Sequence, residues 1–116
     1  MYVAMNYDLL SDKELIKLII EDNEEAVVYL LHDRYIDDIK YHIWHKFDSY
    51  DDLDGLIDDF YIYLKGSGLD WKPLRSFNGS SSFRTWFNTV IERFMLKKRL
   101  KKDRNIGDRA LFLLMK

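Results

Sequence analysis

The chain has 116 residues, 47% apolar and 33% charged, and no cysteine. Its length suits one domain around a single core, and its apolar content is too high for a disordered chain. The lack of cysteine excludes disulfides, thiolate metal centres and cysteine nucleophiles; no apolar run approaches the ~20 residues of a membrane span or forms a secretory leader, so a cytoplasmic protein that does not enter membranes is expected.

The formal charge of −2 conceals a polarity. Residues 1–70 carry 17 acidic and 6 basic side chains, a net of −11, whereas residues 71–116 carry 3 and 12, a net of +9. Such asymmetry predicts two partner surfaces, one for a polyanion and one for a basic or hydrogen-bonding partner.

Helical signals follow in chain order. Ser11-Asp12-Lys13-Glu14 is a capping box, and Leu15, Leu18 and Ile19 form the stripe of a helix ending near Asp22. Asn23 caps the next helix, with Glu24 and Glu25 against its positive end and Ala26, Val27, Leu30 and Leu31 on its buried side. Ile36, Ile39, Ile43, Trp44 and Phe47 continue the spacing after a kink near Tyr35–Asp37. A turn at Asp48–Asp51 leads into Asp52–Lys65, where Leu53, Leu56, Ile57, Phe60 and Leu64 are expected to point inward and Asp54, Asp58, Tyr61 and Lys65 outward. Gly66-Ser67-Gly68 and Pro73 then predict one long loop to Ser82, tacked down by Trp71, Leu74 and Phe77.

Ser80–Ser82 caps the segment richest in chemistry, Ser82–Lys102. Phe83, Trp86, Phe87, Val90, Ile91, Phe94 and Met95 recur as one buried helical side. Arg84, Arg93, Lys97, Lys98, Arg99, Lys101 and Lys102 surround that stripe, with Arg93, Lys97 and Lys101 at four-residue steps. One side can pack on a core while the other meets phosphates. The pattern weakens after Lys102, although Ala110–Met115 can form a last turn or two. No strand alternation or fixed-period repeat competes, so the expected fold is all-α, a single domain of about four or five helices.

Asp51, Asp52, Asp54, Asp58 and Asp59 lack a glycine-punctuated calcium loop and a zinc-spaced histidine, so they suit partner docking better than metal binding. His42 and His45, with Asp38 a turn earlier, would need a further zinc ligand from elsewhere and are expected at the surface. No Ser-His-Asp set, phosphate loop or dinucleotide fingerprint is present; neither an enzyme nor a cofactor is expected.

The order of these features resembles region two of bacterial RNA polymerase sigma factors of the extracytoplasmic-function type. The resemblance rests on Leu10–Ile16 with Asp22–Ala26, on Asp52–Tyr61, on Gly79 with Ser82–Phe87, and on Lys97–Lys102. It covers about residues 8–102 and implies a region-two-like domain over 1–102, with 103–116 as an extension or linker. It also implies core RNA polymerase as a partner of Asp54, Leu56, Asp58, Asp59 and Tyr61. Ser80, Ser81, Phe83, Arg84, Trp86, Asn88, Arg93 and Lys97 are implied contacts to the minus-ten promoter element, whose non-template strand is opened and a base captured. Lys98 and Lys101 extend that set through the basic helix end. An anti-sigma factor is a further implied partner. Gly55 and Asp58 replace the family's usual Asp and Gln, and Arg93 and Lys97 its frequent Asn and Asp. Residues 103–116 do not supply the family's upstream-element-reading region, as expected of a domain cut from a longer factor, with a divergent single-domain relative as the alternative. The residues also suit a helical protein–protein adaptor, or a regulator that binds DNA without promoter recognition.

Overall fold

The structure is a computed structural model that describes residues 6–114, with side chains to Asp103. Helix α1 (Asp12–Ile20) starts on the expected capping box: the Ser11 hydroxyl accepts the Glu14 N–H at 3.1 Å, and the Glu14 carboxylate accepts the Ser11 N–H at 3.4 Å. A left-handed Asp22 reverses the chain, and the Asn23 side chain accepts the Ala26 N–H to start α2 (Glu24–Tyr29).

The expected kink takes the form of one wide turn over Leu30–Arg34, closed by the Tyr35 N–H on the Leu30 carbonyl at 3.0 Å. An added residue in a turn rephases the helix that follows. Tyr35 is buried there, edge-on to Phe83 and Phe87, and its hydroxyl donates to Asp12 at 2.9 Å. Arg34 donates to the carbonyls of Tyr7 and Leu10 and to Asp12, tying the chain's start to this turn. Helix α3 (Ile36–Phe47) follows and ends on a left-handed Asp48.

Helix α4 (Leu53–Lys65) buries Leu56, Ile57, Phe60 and Leu64; Leu53 is half-buried. The expected loop from Gly66 to Ser82 contains a further short helix, α5 (Lys72–Arg75), which Pro73 favours because its fixed φ suits a first turn. Trp71 and Leu74 are buried as expected, and the Trp71 indole N–H donates to Asp22 at 3.2 Å. Helix α6 (Phe83–Leu114) runs 32 residues, about 48 Å at 1.5 Å per residue. It continues through the stretch expected as an extension; Met115, the end of the expected final turn, lies outside the described residues.

Among the described residues the elements are helices and turns, with no strand. All six α-helices contribute to one core, in which Phe60, Phe87, Ile39 and Ile43 are fully buried. Trp44 departs from expectation: it is 45% exposed, because Ile39 and Ile43 take the inward side of α3.

Candidate nucleic-acid interface

The approach to α6 is a turn built from local hydrogen bonds. The Asn78 side chain accepts the Ser80 N–H at 3.0 Å, and Gly79 sits at φ +80°. Ser82 then accepts the Thr85 N–H at 3.2 Å, the expected N-cap. Ser80 and Ser81 are exposed in this turn.

The inward side of α6 is Phe83, Phe87, Ile91 and Met95, at four-residue steps. Phe83 stacks on Phe87 with centroids 5.0 Å apart and is 6% exposed, so most of its ring is spent on the core. On the flank toward α3 runs a polar seam. The Asn88 amide donates to Asp38 at 2.6 Å and to the Arg84 carbonyl at 2.9 Å, which leaves its oxygen facing His42 Nε2 at 2.9 Å. His42 Nδ1 lies 3.0 Å from Glu92, and Lys46 bridges to the other Glu92 oxygen at 2.8 Å. The Lys46 ammonium, aided by His42 and opposed by partial burial, holds the Glu92 carboxyl below its usual range. Burial, and then the Asp12 carboxylate, push the neighbouring Tyr35 hydroxyl far up.

This seam corrects two expectations. His42 is buried and bonded at both ring nitrogens, not a surface histidine. Asn88 spends its amide inside the protein, because its donors and its acceptor all have partners, and so leaves the DNA-contact set. Arg84 is exposed, but its guanidinium lies on Asp38 at 2.9 and 3.0 Å and 5.0 Å over the Tyr35 ring.

The opposite flank is open. A groove of about 820 Å³ runs between α6, the end of α4, the 66–70 turn and α5. Its walls include Ile62, Tyr63, Lys72, Trp86, Val90 and Arg93. Trp86 is half-buried, resting on Phe77 at 5.2 Å and on Phe83 at 5.7 Å. Arg93, Lys97 and Lys101 continue from the groove at one-turn steps; all three are exposed and, among the described residues, form no ion pair. Rings in a groove with cations along one edge suit an unpaired strand, whose bases stack while its phosphates stay wet. A second, more apolar cleft of about 910 Å³ lies between α1 and the α5–α6 connection, lined by Ile16, Ile20, Leu74, Phe77 and Phe83 among others.

On α4, Asp54 and Asp58 are exposed, and Asp58 and Tyr61 border a smaller cleft of about 310 Å³ with Val28 and His32. Leu56 is 4% exposed and packs beneath this face, in the core. Tyr61 is half-buried, edge-on to Trp71 at 5.7 Å. The Asp59 carboxylate is exposed but meets Lys98 at 2.7 Å, so a partner would compete with a surface ion pair for either charge.

The structure therefore brings Trp86, Arg93, Lys97 and Lys101 into one run, leaves Ser80 and Ser81 exposed before it, turns Phe83 and Asn88 inward, and holds Arg84 and Lys98 in ion pairs at the surface. Sequence reasoning missed Tyr63, Ile62 and Lys72. Tyr63 stands three residues after Phe60, the spacing of a stripe's edge, and Lys72 adjoins Pro73; neither signal points to a groove without knowing that α4 and α6 lie side by side.

Among the described residues no three His, Asp or Glu side chains converge as a metal ion requires, and no helix is long and apolar enough to cross a membrane. Compared with protein-family models, curated proteins and solved structures, the chain matches none.

Proposed function

We propose that this domain acts in transcription initiation as a sigma factor region two does, taking an opened promoter strand on α6 and core RNA polymerase on the outer side of α4. The observation that carries the reading is the groove holding Trp86 and Tyr63 beside the row Arg93, Lys97, Lys101. A duplex base must be unstacked at a cost of a few kcal/mol before it enters such a site, and ring stacking of about 1–3 kcal/mol per base offsets that cost. The cations orient the backbone without reading sequence. In this reading the protein needs no cofactor, makes no covalent bond and works in the cytoplasm; its partners are promoter DNA, polymerase and an anti-sigma factor.

A second reading is favoured by the ion pairs Arg84–Asp38 and Lys98–Asp59, which neutralise part of the basic helix. They suit a helical adaptor, for which DNA is an incidental ligand. Titration of the domain with labelled single strands of different sequence separates the two. The promoter reading expects discrimination among minus-ten-like strands, and expects Asp58→Lys to keep DNA binding while weakening polymerase pull-down. Equal affinity for every strand, with polymerase capture unaltered in Asp58→Lys, would refute it.

A further inference from the structure

Neither reading uses the outer side of α3. Asp37, Tyr41 and Trp44 fall on one side of that helix at four- and three-residue steps, away from buried Ile39 and Ile43. Tyr41 is 59% exposed, Trp44 45% and, just past the helix, Tyr50 46%. Single exposed rings are ordinary, but these three are arranged. The left-handed Asp48 closes α3 by donating its N–H to the Trp44 carbonyl at 2.8 Å, and the turn returns Tyr50 onto Trp44, with centroids 5.4 Å apart and planes tilted by 35°. Tyr41 is held edge-on to His45 at 4.1 Å. Rings already fixed by neighbours lose little freedom when a partner lands on them.

The charges around the rings choose the partner. Asp37, Asp48 and Asp51 are exposed and, among the described residues, form no ion pair. Lys46 is tied to Glu92, and Arg99 and Lys102 of α6 meet the end of α3 at the Lys46 carbonyl and over the Phe47 ring, which leaves Lys40 and His45 as the remaining bases of α3. A nucleic acid strand would meet three carboxylates. An apolar helix would cover them without pairing them. A guanidinium satisfies both features, since its flat face stacks on rings and its N–H fork matches a carboxylate.

We infer that the Tyr41–Trp44–Tyr50 surface docks an arginine-bearing segment of a partner protein. The guanidinium lies on the Trp44–Tyr50 pair and its N–H groups reach Asp48 or Asp51. This inference is independent of the promoter reading, because none of these residues belongs to the α6 groove or to the α4 row.

The test titrates the whole chain with blocked hexa-arginine and hexa-lysine peptides, following affinity by calorimetry and position by NMR shifts. Hexa-arginine is expected to bind about three- to tenfold tighter than hexa-lysine, with shifts centred on Tyr41, Trp44 and Tyr50. Trp44→Ala with Tyr50→Ala should erase the preference, and Trp44→Phe, which keeps a ring, should retain most of it and shows that the fold tolerates change there. Equal affinity for the two peptides overturns the inference, because charge alone would then explain binding. A preference that survives the double variant, shifts centred on Asp54 and Asp58, or tighter binding of a single-stranded oligonucleotide at this surface overturns it as well.

Discussion

Replacing Lys97 and Lys101 together by glutamine tests how many charges the domain offers to a strand. Five cations were expected to meet DNA: Arg84, Arg93, Lys97, Lys98 and Lys101. Two of these are held by carboxylates, Arg84 by Asp38 at 2.9 Å and Lys98 by Asp59 at 2.7 Å. Three remain exposed, without an ion pair among the described residues. Each phosphate neutralised on a single strand contributes about −0.7 to the slope of log K against log salt, so three give about −2.1 and five would give about −3.5. A slope of −2.1 means about a twentyfold loss of affinity between roughly 50 and 200 mM salt; the double variant, with Arg93 alone, should lose only about 2.5-fold. Both lysines are exposed, so the variant is expected to fold as the parent does. Anisotropy of a labelled single strand at several salt concentrations reads both slopes. A parent slope near −3.5 would show that the ion pairs open when DNA binds. An unchanged slope in the double variant would refute the placement of the strand along this row.

Three further outcomes follow from single contacts. Asp59→Asn frees Lys98, so single-strand affinity at low salt should rise about two- to fivefold, the scale of a surface ion pair, and the salt slope should steepen by about 0.7; no gain would mean that Lys98 lies off the strand's path. The Glu92 carboxyl is held below its unfolded value of about 4.3, so its stabilisation is complete above that pH and is lost as pH falls through the folded value. Glu92→Gln should therefore lower the unfolding free energy from urea titration at neutral pH by less than about 1 kcal/mol, the side chain being partly exposed, and should flatten the loss of stability below about pH 4. Gly55→Ala should add about 0.5–1 kcal/mol by helix propensity, seen as a higher melting temperature, although a Cβ there would stand 2.4 Å from an Asp52 carboxylate oxygen that must swing into solvent; a lower melting temperature would show that this carboxylate's position at the start of α4 matters more than the propensity.

The helices were legible because their signals are local. Ser11 with Glu14, Asn23 with Ala26, and Ser82 with Thr85 are each three residues apart, and each makes its expected capping bond. The wide turn at Leu30–Arg34 was visible only as a break in phase near Tyr35, because what fixes it is the reach of the Tyr35 hydroxyl to Asp12, 23 residues away. Helix α5 was hidden by Gly66 and Gly68, which announce a loop. Trp71 overrides that signal by burying its ring and donating to Asp22 across 49 residues. The seam of Asp38, His42, Asn88 and Glu92 joins residues 46–50 apart, and no spacing rule connects them.

The candidate site was half legible for a geometric reason. The expected stripe on α6 held seven apolar residues, but the buried ones are Phe83, Phe87, Ile91 and Met95, separated by four residues each. A four-residue step overshoots the 3.6-residue turn by about 40°, so this row winds slowly around the helix as α6 passes along the body. Trp86, Val90 and Phe94 consequently fall to one side and remain half-buried. Hydrophobicity alone assigns both rows to the core. Only the neighbour decides otherwise: Phe94 is closed off by Phe60 and Tyr63 of α4, while Trp86 and Val90 face the groove below it. The same drift sets Arg93, Lys97 and Lys101 beyond that open row and carries Arg84 and Asn88 to the α3 side, where Asp38 takes them. Residues assigned together by sequence order thus divide between a polar seam that fixes α6 on the body and an aromatic, cationic flank left to a partner.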